Sequence, residues 1–564
     1  MKNIKIIGLV FSCFLSISIF QSCDSFENEP INRIGDEDVW ASIDSTGTHL
    51  MNFLNGMYFY LPGLHNRIYD DYLDSGTDDG LPTVDKTSSQ TNNVDAFRNG
   101  RISAQNVVDE SRWKDNYTGI RQANIFLANV DRAYLDASKR AMVKTWKAEA
   151  RFLRAFYYFD LIKRWGGVPI VGDKVFTLDD DLNMPRNTFD QCVEYILSEL
   201  NAVENDLYSI NGLADANIGR ATNGAAIALR ARVLLYAASP LNNPSNDLAK
   251  WEKAAAEAKK IIDMPAYSLH SSFQSLFYTL KNTETIFIKE SATSNNVELN
   301  NSPVGYQTAS YACKGYTSPS QGLVDAFLTL DGKMINDEGS GYNPQNPYAN
   351  RDPRLKETVF YNGQTWLSRT VETFEGGLDK PNQMYPQTKT GYYLRKFMGN
   401  NETATSLSST HHSFIIMRYA EILLSYAEAL NEYNPAGTKT QIEDAIIQIR
   451  KRAGINAGSD SRYGLPANYT QSQMREIIRN ERRIELAFEE HRFFDIRRWK
   501  TAEFVMNTPV TGMKITKLAN GTFSYEKINV QNSTFDGTKM YLFPIPYSEI
   551  VGNSKMTQNP GWNY

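Results

Sequence analysis

The sequence predicts a mostly α-helical protein: an irregular array of tetratricopeptide-like helical hairpins, interrupted by one long loop-rich insertion that carries short strands. Three observations predict it. Apolar residues recur at i, i+3, i+4 and i+7 through a series of stretches on both sides of the insertion. Ala is frequent on the faces of these stretches, which lets helices approach closely, as in repeat arrays. Between residues 264 and 413 the helical period lapses and Asn, Gly, Ser, Thr and Tyr take over. Hairpins starting near residues 143, 222 and 414 do not keep a 34-residue period, so the array is irregular.

Taken in order, Lys2 and Lys5 precede an apolar run over residues 6–20, which is too short to span a bilayer and has the layout of a secretory leader. Ser22-Cys23 closes it in the manner of a bacterial lipobox, in which the cysteine becomes the acylated N-terminus. Phe20 departs from the commoner Leu. Cys13 follows a better-matching Val10-Phe11-Ser12, but too little apolar sequence lies between Lys5 and Cys13, so Cys23 is the expected lipidation site. Residues 1–22 are then the signal peptide, 23–40 a polar tether and 41–564 a single domain.

Within that domain, residues 46–60 read as a first helix with Leu50, Phe53, Leu54 and Met57 on one face. Residues 70–80, rich in acids and turn formers, read as an exposed loop. They lack the alternating acids, the Gly and the final Glu of an EF-hand. Trp113, Tyr117, Ile120, Asn124 and Leu127 mark a helix running to 134. Trp146, Ala150, Leu153, Tyr157 and Leu161 mark another, ended by Gly166-Gly167 and Pro169. Helices over 188–207, 222–238 and 248–262 follow. Beyond the insertion come helices over 414–431 and 439–453. Strand-like pieces at 285–288 and 359–361 lie inside the insertion.

Residues 475–499 hold no Gly or Pro and follow Thr470-Gln471-Ser472, which suits an N-cap. The spacing predicts one helix. Glu481, Glu485 and Glu489 form an acidic stripe; Arg475, Arg479 and Arg483 form a basic one. Like charges four apart repel, so the stripes require partners, either at i+3 (Arg482 with Glu485, Glu489 with Arg492) or on elements packed to both sides. That reads as a structural ion-pair lattice rather than a catalytic carboxylate pair.

Composition narrows the function. Of 564 residues, 41% are hydrophobic and 22% charged, ordinary for a globular chain with a large core. The net charge of −5 becomes −7 once Lys2 and Lys5 leave with the leader, so no basic field exists to attract nucleic acid. Cys192 and Cys313 stand far apart in different contexts, which argues against a disulfide. The six histidines accompany no HExxH or CxxC, so neither a metal nor a cofactor is expected. No GxSxG, Walker loop or GxGxxG after a strand occurs, and no motif pairs two acids at glycosidase separation, so an enzyme is not the expectation. Tyr, at 31 residues against 8 Trp, offers an apolar face with a polar tip. In the insertion Tyr306, Tyr311, Tyr316, Tyr342, Tyr348 and Trp366 lie among polar residues without helical or strand period. Such rings stack on sugar C–H faces while Asn, Asp and Arg serve the hydroxyls; the alternative is that each ring covers its own loop.

Five segments carry a resemblance. NERRIELAFEEHRFFDIRRW (480–499) resembles the C-terminal signature of the SusD/RagB family, the surface nutrient-binding lipoproteins of Bacteroidetes. KAEARFLRAFYYFDLIKRWGGVPI (147–170), NRDPRL (350–355), MRYAEILLSYAEALN (417–431) with IRKRAGI (449–455), and LFPIPYSEI with QNPGW (542–562) resemble it in the same order. The NRDPRL box itself reads as structural, with Asp352-Pro353 setting a turn.

The resemblance implies a lipid-anchored outer-membrane protein at the cell surface that captures oligosaccharide and delivers it to a SusC-like TonB-dependent transporter. It makes Asp78 and Asp79 in the acidic loop, and Arg395 in TGYYLRKF, polar partners of the ligand beside Tyr306, Tyr311, Tyr316, Tyr342 and Trp366. Acids at 24, 27 and 29 are similar to the family's surface-export signals. A peptide-binding RagB-like receptor and a helical-repeat interaction scaffold are the other readings. The acidic loop and the insertion are expected to meet on one exposed face.

Overall fold

The first apolar stripe folds as expected: α1 (Thr48–Tyr58) buries Leu50, Leu54 and Met57. The structure, a computed structural model, describes Trp40 and residues 45–563 except 64, 85–92, 110, 308–311 and 383–385. The leader, Cys13, Cys23 and nearly all of the tether therefore lie outside the described residues. Next, α2 (Ser111–Asn129) packs on α3 (Ala137–Trp165). The Asp136 side chain accepts the Lys139 N–H to start α3, and Gly166 (φ 72°) ends it. At Gly167 a Cβ would stand 2.0 Å from the Asn187 carbonyl, so only glycine fits. A Thr188/Gln191 capping box opens α4 (Phe189–Val203), which packs on α3. The α5 (Asn223–Ala238) and α6 (Leu248–Ile262) hairpin follows.

The chain then leaves the array for the insertion and returns through α8 (Tyr419–Tyr433), which packs on α6, on α9 (Lys439–Ala453) and on α10 (Gln471–Glu485). Here α7 denotes Pro353–Thr358, the helix of the NRDPRL box, where the Asp352 side chain accepts the Arg354 N–H at 2.9 Å. Residues 414–418 are a strand rather than the first turn of α8. Phe414–Arg418 pairs antiparallel with Thr285–Lys289, the strand expected at 285–288. A hairpin of Val510–Lys517 with Phe523–Gln531 was not anticipated, although Asn520-Gly521 between two β-prone runs is its signal.

Two large apolar cores result, with a smaller one around Ile496, Met506 and Phe535. One is built by the helices; the other gathers Phe277, Leu323, Phe360, Trp366, Tyr392 and Tyr393 of the insertion with Ile484, Ala487 and Phe488 of the C-terminal signature. The expected single helix over 475–499 is broken where the chain passes between them. The backbone leaves α10 after Glu485 and passes through left-handed Phe488 (φ 61°) and Glu490 (φ 62°) before α11 (Arg492–Arg498). Phe488 enters the second core, and Phe493 and Phe494 enter the first. The freed carbonyls are satisfied by side chains: Lys396 Nζ donates to Glu485 O (3.0 Å) and Ala487 O (2.8 Å), and Arg418 donates to Glu485 O (2.8 Å).

The charges of the signature form a lattice, most of it across the seam; the i+3 pairs expected within it, Arg482 with Glu485 and Glu489 with Arg492, are replaced by other partners. Glu485 accepts from Arg354 (2.8 Å), Arg418 (2.7 Å) and Arg452; Glu481 accepts from Arg450 (2.9 Å) and forms an ion pair with Arg354 (2.8 Å); Glu489 accepts from Arg418 and Lys396 (both 2.7 Å). Arg482 pairs with Asp495 and Arg492 with Asp78. Burial raises the cost of a charged Glu485, but three guanidiniums outweigh it and hold the carboxyl well below its usual range. Cys192 and Cys313 are buried free thiols. Among the described residues no helix is long and apolar enough to cross a membrane.

Candidate functional site

The acidic loop and the insertion do meet, but the loop is not an exposed one. Leu73–Gly76 forms a buried 3₁₀ turn, and Gly80–Pro82 pairs antiparallel with Thr317–Pro319, Leu81 opposite Ser318. Thr83 N donates to Tyr316 O (2.7 Å), Ser320 N to Asp79 O (2.9 Å) and Ser320 Oγ to Asp78 O (2.6 Å). The acids are consumed by the signature helices. Arg492 grips both oxygens of Asp78 (2.9 and 2.8 Å), and Arg483 reaches Asp78 (2.7 Å) and Asp79 (2.7 Å). Although burial acts against ionisation of Asp78, Arg483 and Arg492 hold its carboxyl below the ordinary value. Asp79 is pushed up, by burial and then by Asp78 despite Arg483. A buried and a half-buried carboxylate side by side need two arginines; Asp78 and Asp79 are therefore locks on the loop, and this corrects their expected role as ligand partners.

Three further expectations are corrected. Trp366 is wholly buried, 0% exposed, against Phe360 (centroids 5.1 Å), with its indole N–H donated to Ser302 Oγ at 3.2 Å. Arg395 lies beneath the surface, donating to Lys356 O (2.7 Å) and pairing with Glu402 (2.5 Å). Tyr306 is buried under the Arg369 guanidinium, 3.8 Å from its ring centroid. These rings fill the insertion's own core, because a chain segment of this length has its own surface to bury.

Other rings reach the surface. Tyr316, at the junction of the two segments, is half-buried with Lys314 Nζ 5.2 Å from its centroid. Tyr342 is half-buried beside Arg351 (5.3 Å). Tyr348 stacks on Tyr361 (4.1 Å, 19°) with Tyr525 at its edge (5.8 Å), a cluster of polar-tipped rings that the lack of period concealed. Tyr311 lies outside the described residues. By contrast, a cavity of about 1070 Å³ between the 328–339 and 458–467 loops has carboxylates such as Asp337, Asp460 and Glu476 but no ring in its wall, so it lacks a stacking platform. Among the described residues no group of His, Cys, Asp and Glu could hold a metal ion.

Comparison with known proteins bears on this arrangement. A family model described as "SusD family" matches residues 283–562, and one described as "Starch-binding associating with outer membrane" matches residues 50–235. SusD-like protein P2 of Formosa agariphila is 26% identical over 590 aligned positions covering all of both chains. The crystal structure of a SusD-like protein from Bacteroides fragilis, 27% identical, superposes with a TM-score of 0.75 over 94% of this chain and 100% of that one. A structure named as a laminarin-binding SusD-like protein, 22% identical, gives 0.63 over 91% and 99%.

Proposed function

Because the chain belongs to the SusD-like family, we propose that it is a surface lipoprotein of the outer membrane, anchored through Cys23, that captures oligosaccharide and passes it to a SusC-like TonB-dependent transporter. The chain is read as a binding protein and not an enzyme, in keeping with a family described as starch-binding. The family's description supports the membrane and the saccharide; the lipobox-like Ser22-Cys23 supports the anchor.

The observation that carries a position for the ligand is the strand pairing of Gly80–Pro82 with Thr317–Pro319, which ends at the half-buried Tyr316 ring. A ring fixed by backbone hydrogen bonds on both sides is a preorganised platform, and Lys314 supplies a hydrogen-bonding group beside it. Tyr342 stands as a further platform. The test is calorimetric titration across a panel of soluble polysaccharides, repeated with Tyr316→Ala. Loss of about tenfold in affinity for whichever saccharide binds supports the site. Binding of oligopeptides and of no saccharide replaces the ligand class, and undiminished affinity moves the site.

A further inference from the structure

A second pocket sits between the end of α1, the 216–220 loop and the end of the Thr285–Lys289 strand, with none of the insertion's rings in its wall. The last turn of α1 closes with Phe59 N donating to Gly56 O and Leu61 N to Tyr58 O, and this turn directs Phe59 outward until its ring is 75% exposed. The ring borders a cavity of about 460 Å³ walled also by Asn55, Tyr58, Arg220, Lys289 and Glu290. That volume lies within the range of small-ligand sites. An exposed phenylalanine beside a polar concavity is unlike the apolar side chains scattered singly over a protein surface.

The wall is rigid. Arg220 donates to Glu149 (2.9 Å) and to Asn55 Oδ1 (2.6 Å), and the Tyr58 hydroxyl donates to the same Glu149, which is fully buried. Lys289 Nζ donates to Phe59 O and Leu61 O, both at 2.7 Å, and lies 5.3 Å from the Phe59 centroid. Burial lowers the Lys289 ammonium to about 8. Gly219 (φ 86°) opposes Glu290, so the rim keeps a backbone shape that other residues rarely adopt.

We propose that this pocket is a second saccharide subsite, selective for a neutral sugar residue stacked on Phe59. The selectivity follows from which charges are already engaged. Arg220 is paired with Glu149, and the Lys289 ammonium, two of its three N–H groups already on carbonyls, is balanced in formal charge by Glu290, so the wall carries no net positive charge for a uronate. The Glu290 side chain is exposed and has no hydrogen-bond or ion partner among the described residues. A carboxylate accepts hydroxyl hydrogens and repels a uronate. Asn55, whose oxygen is taken by Arg220, presents its amide N–H groups as donors. The inference stands apart from the Tyr316 face.

The test uses the full chain with isoleucine-methyl labelling, because Ile218 and Ile288 line the cavity and report its contents. Glucose, galactose and mannose serve as neutral probes and galacturonate as the acidic one, each at high concentration. The expected result is a saturable shift of the Ile218 or Ile288 methyl with at least one neutral sugar and a several-fold weaker response to galacturonate. The shift should vanish in Phe59→Ala and persist in Tyr316→Ala, while Glu290→Lys should bring galacturonate up to the neutral probes. No shift with any neutral sugar, or a shift that survives Phe59→Ala, overturns the subsite. An equal response to galacturonate in the unmodified protein overturns its selectivity. Loss in Tyr316→Ala would show that the two places are one site.

Discussion

The helical array and the insertion both carry many aromatic rings, and local periodicity distinguishes them while burial does not. In the array Trp113, Trp146 and Tyr157 recur at helical spacing and are buried. In the insertion Tyr306, Trp366, Tyr392 and Tyr393 follow no period and are buried as completely. A helix makes its core face from residues three and four apart. The insertion makes its core from residues tens of positions apart, so the lack of a stripe says only that the segment is not regular. The two regions also differ in what joins them: each has an apolar centre, and a lattice of buried charge lies along their seam.

The largest expected effect comes from breaking that seam. Glu485→Ala leaves Arg354, Arg418 and Arg452 without their common partner, and should cost roughly 3–5 kcal/mol, read as a fall in melting temperature and denaturant midpoint. A change under about 1 kcal/mol would mean that the apolar cores hold the two regions without it. Trp366→Ala should cost a similar ~3–5 kcal/mol through the cavity it leaves, with saccharide affinity per folded molecule unchanged. A specific loss of binding at full stability would restore this ring to the ligand site.

The same comparison has a pH signature. Glu485, Glu489 and Asp495 are all held below their usual values, Glu485 and Asp495 by arginines and Glu489 by Arg418 with Lys396, which outweigh burial. A carboxyl depressed in the folded state binds fewer protons than in the unfolded one. Its stabilisation is therefore complete above about pH 4.3, the unfolded value of Glu, and is lost as pH falls towards the folded values. Stability should drop steeply below about pH 4, and less steeply in Glu485→Gln. Asp74 has the opposite sign: burial, then Asp79 and Glu490, push its carboxyl well up, although it accepts the Glu490 N–H at 3.0 Å. Its charged form costs stability at neutral pH. Asp74→Asn keeps an acceptor and should match or exceed the parent at pH 7, with any gain disappearing in acid as the parent's carboxyl protonates. Destabilisation at pH 7 would refute that sign.

The smallest effect belongs to the surface. Tyr316→Ala should remove on the order of 1–2 kcal/mol of saccharide binding and little stability, so that calorimetry and melting curves separate it from Trp366→Ala. Anchoring is tested apart from the fold: Cys23→Ala should move the protein out of the membrane fraction or block its processing, whereas release by Cys13→Ala instead would transfer the anchor to that cysteine.

What the sequence determined by itself is the part of the molecule whose causes are local. The helices expected over 188–207, 222–238 and 439–453 were legible because stripe and cap lie within a few residues of one another, as in the Thr188/Gln191 box, although the first ends four residues early, at Val203. The charge lattice was legible as a necessity, since the Glu481, Glu485 and Glu489 stripe could not stand without partners. Tertiary structure alone decided who those partners are and which rings remain at the surface. Asp78 finds Arg492 across 414 positions, Arg354 finds Glu485 across 131, and Thr83 meets Tyr316 only when two strands pair. The break at Phe488 and the exposure of Phe59, two positions beyond the last buried residue of α1, have the same origin. Exposure is settled by the sum of distant surfaces that come to cover a residue, and no short window of sequence contains that sum.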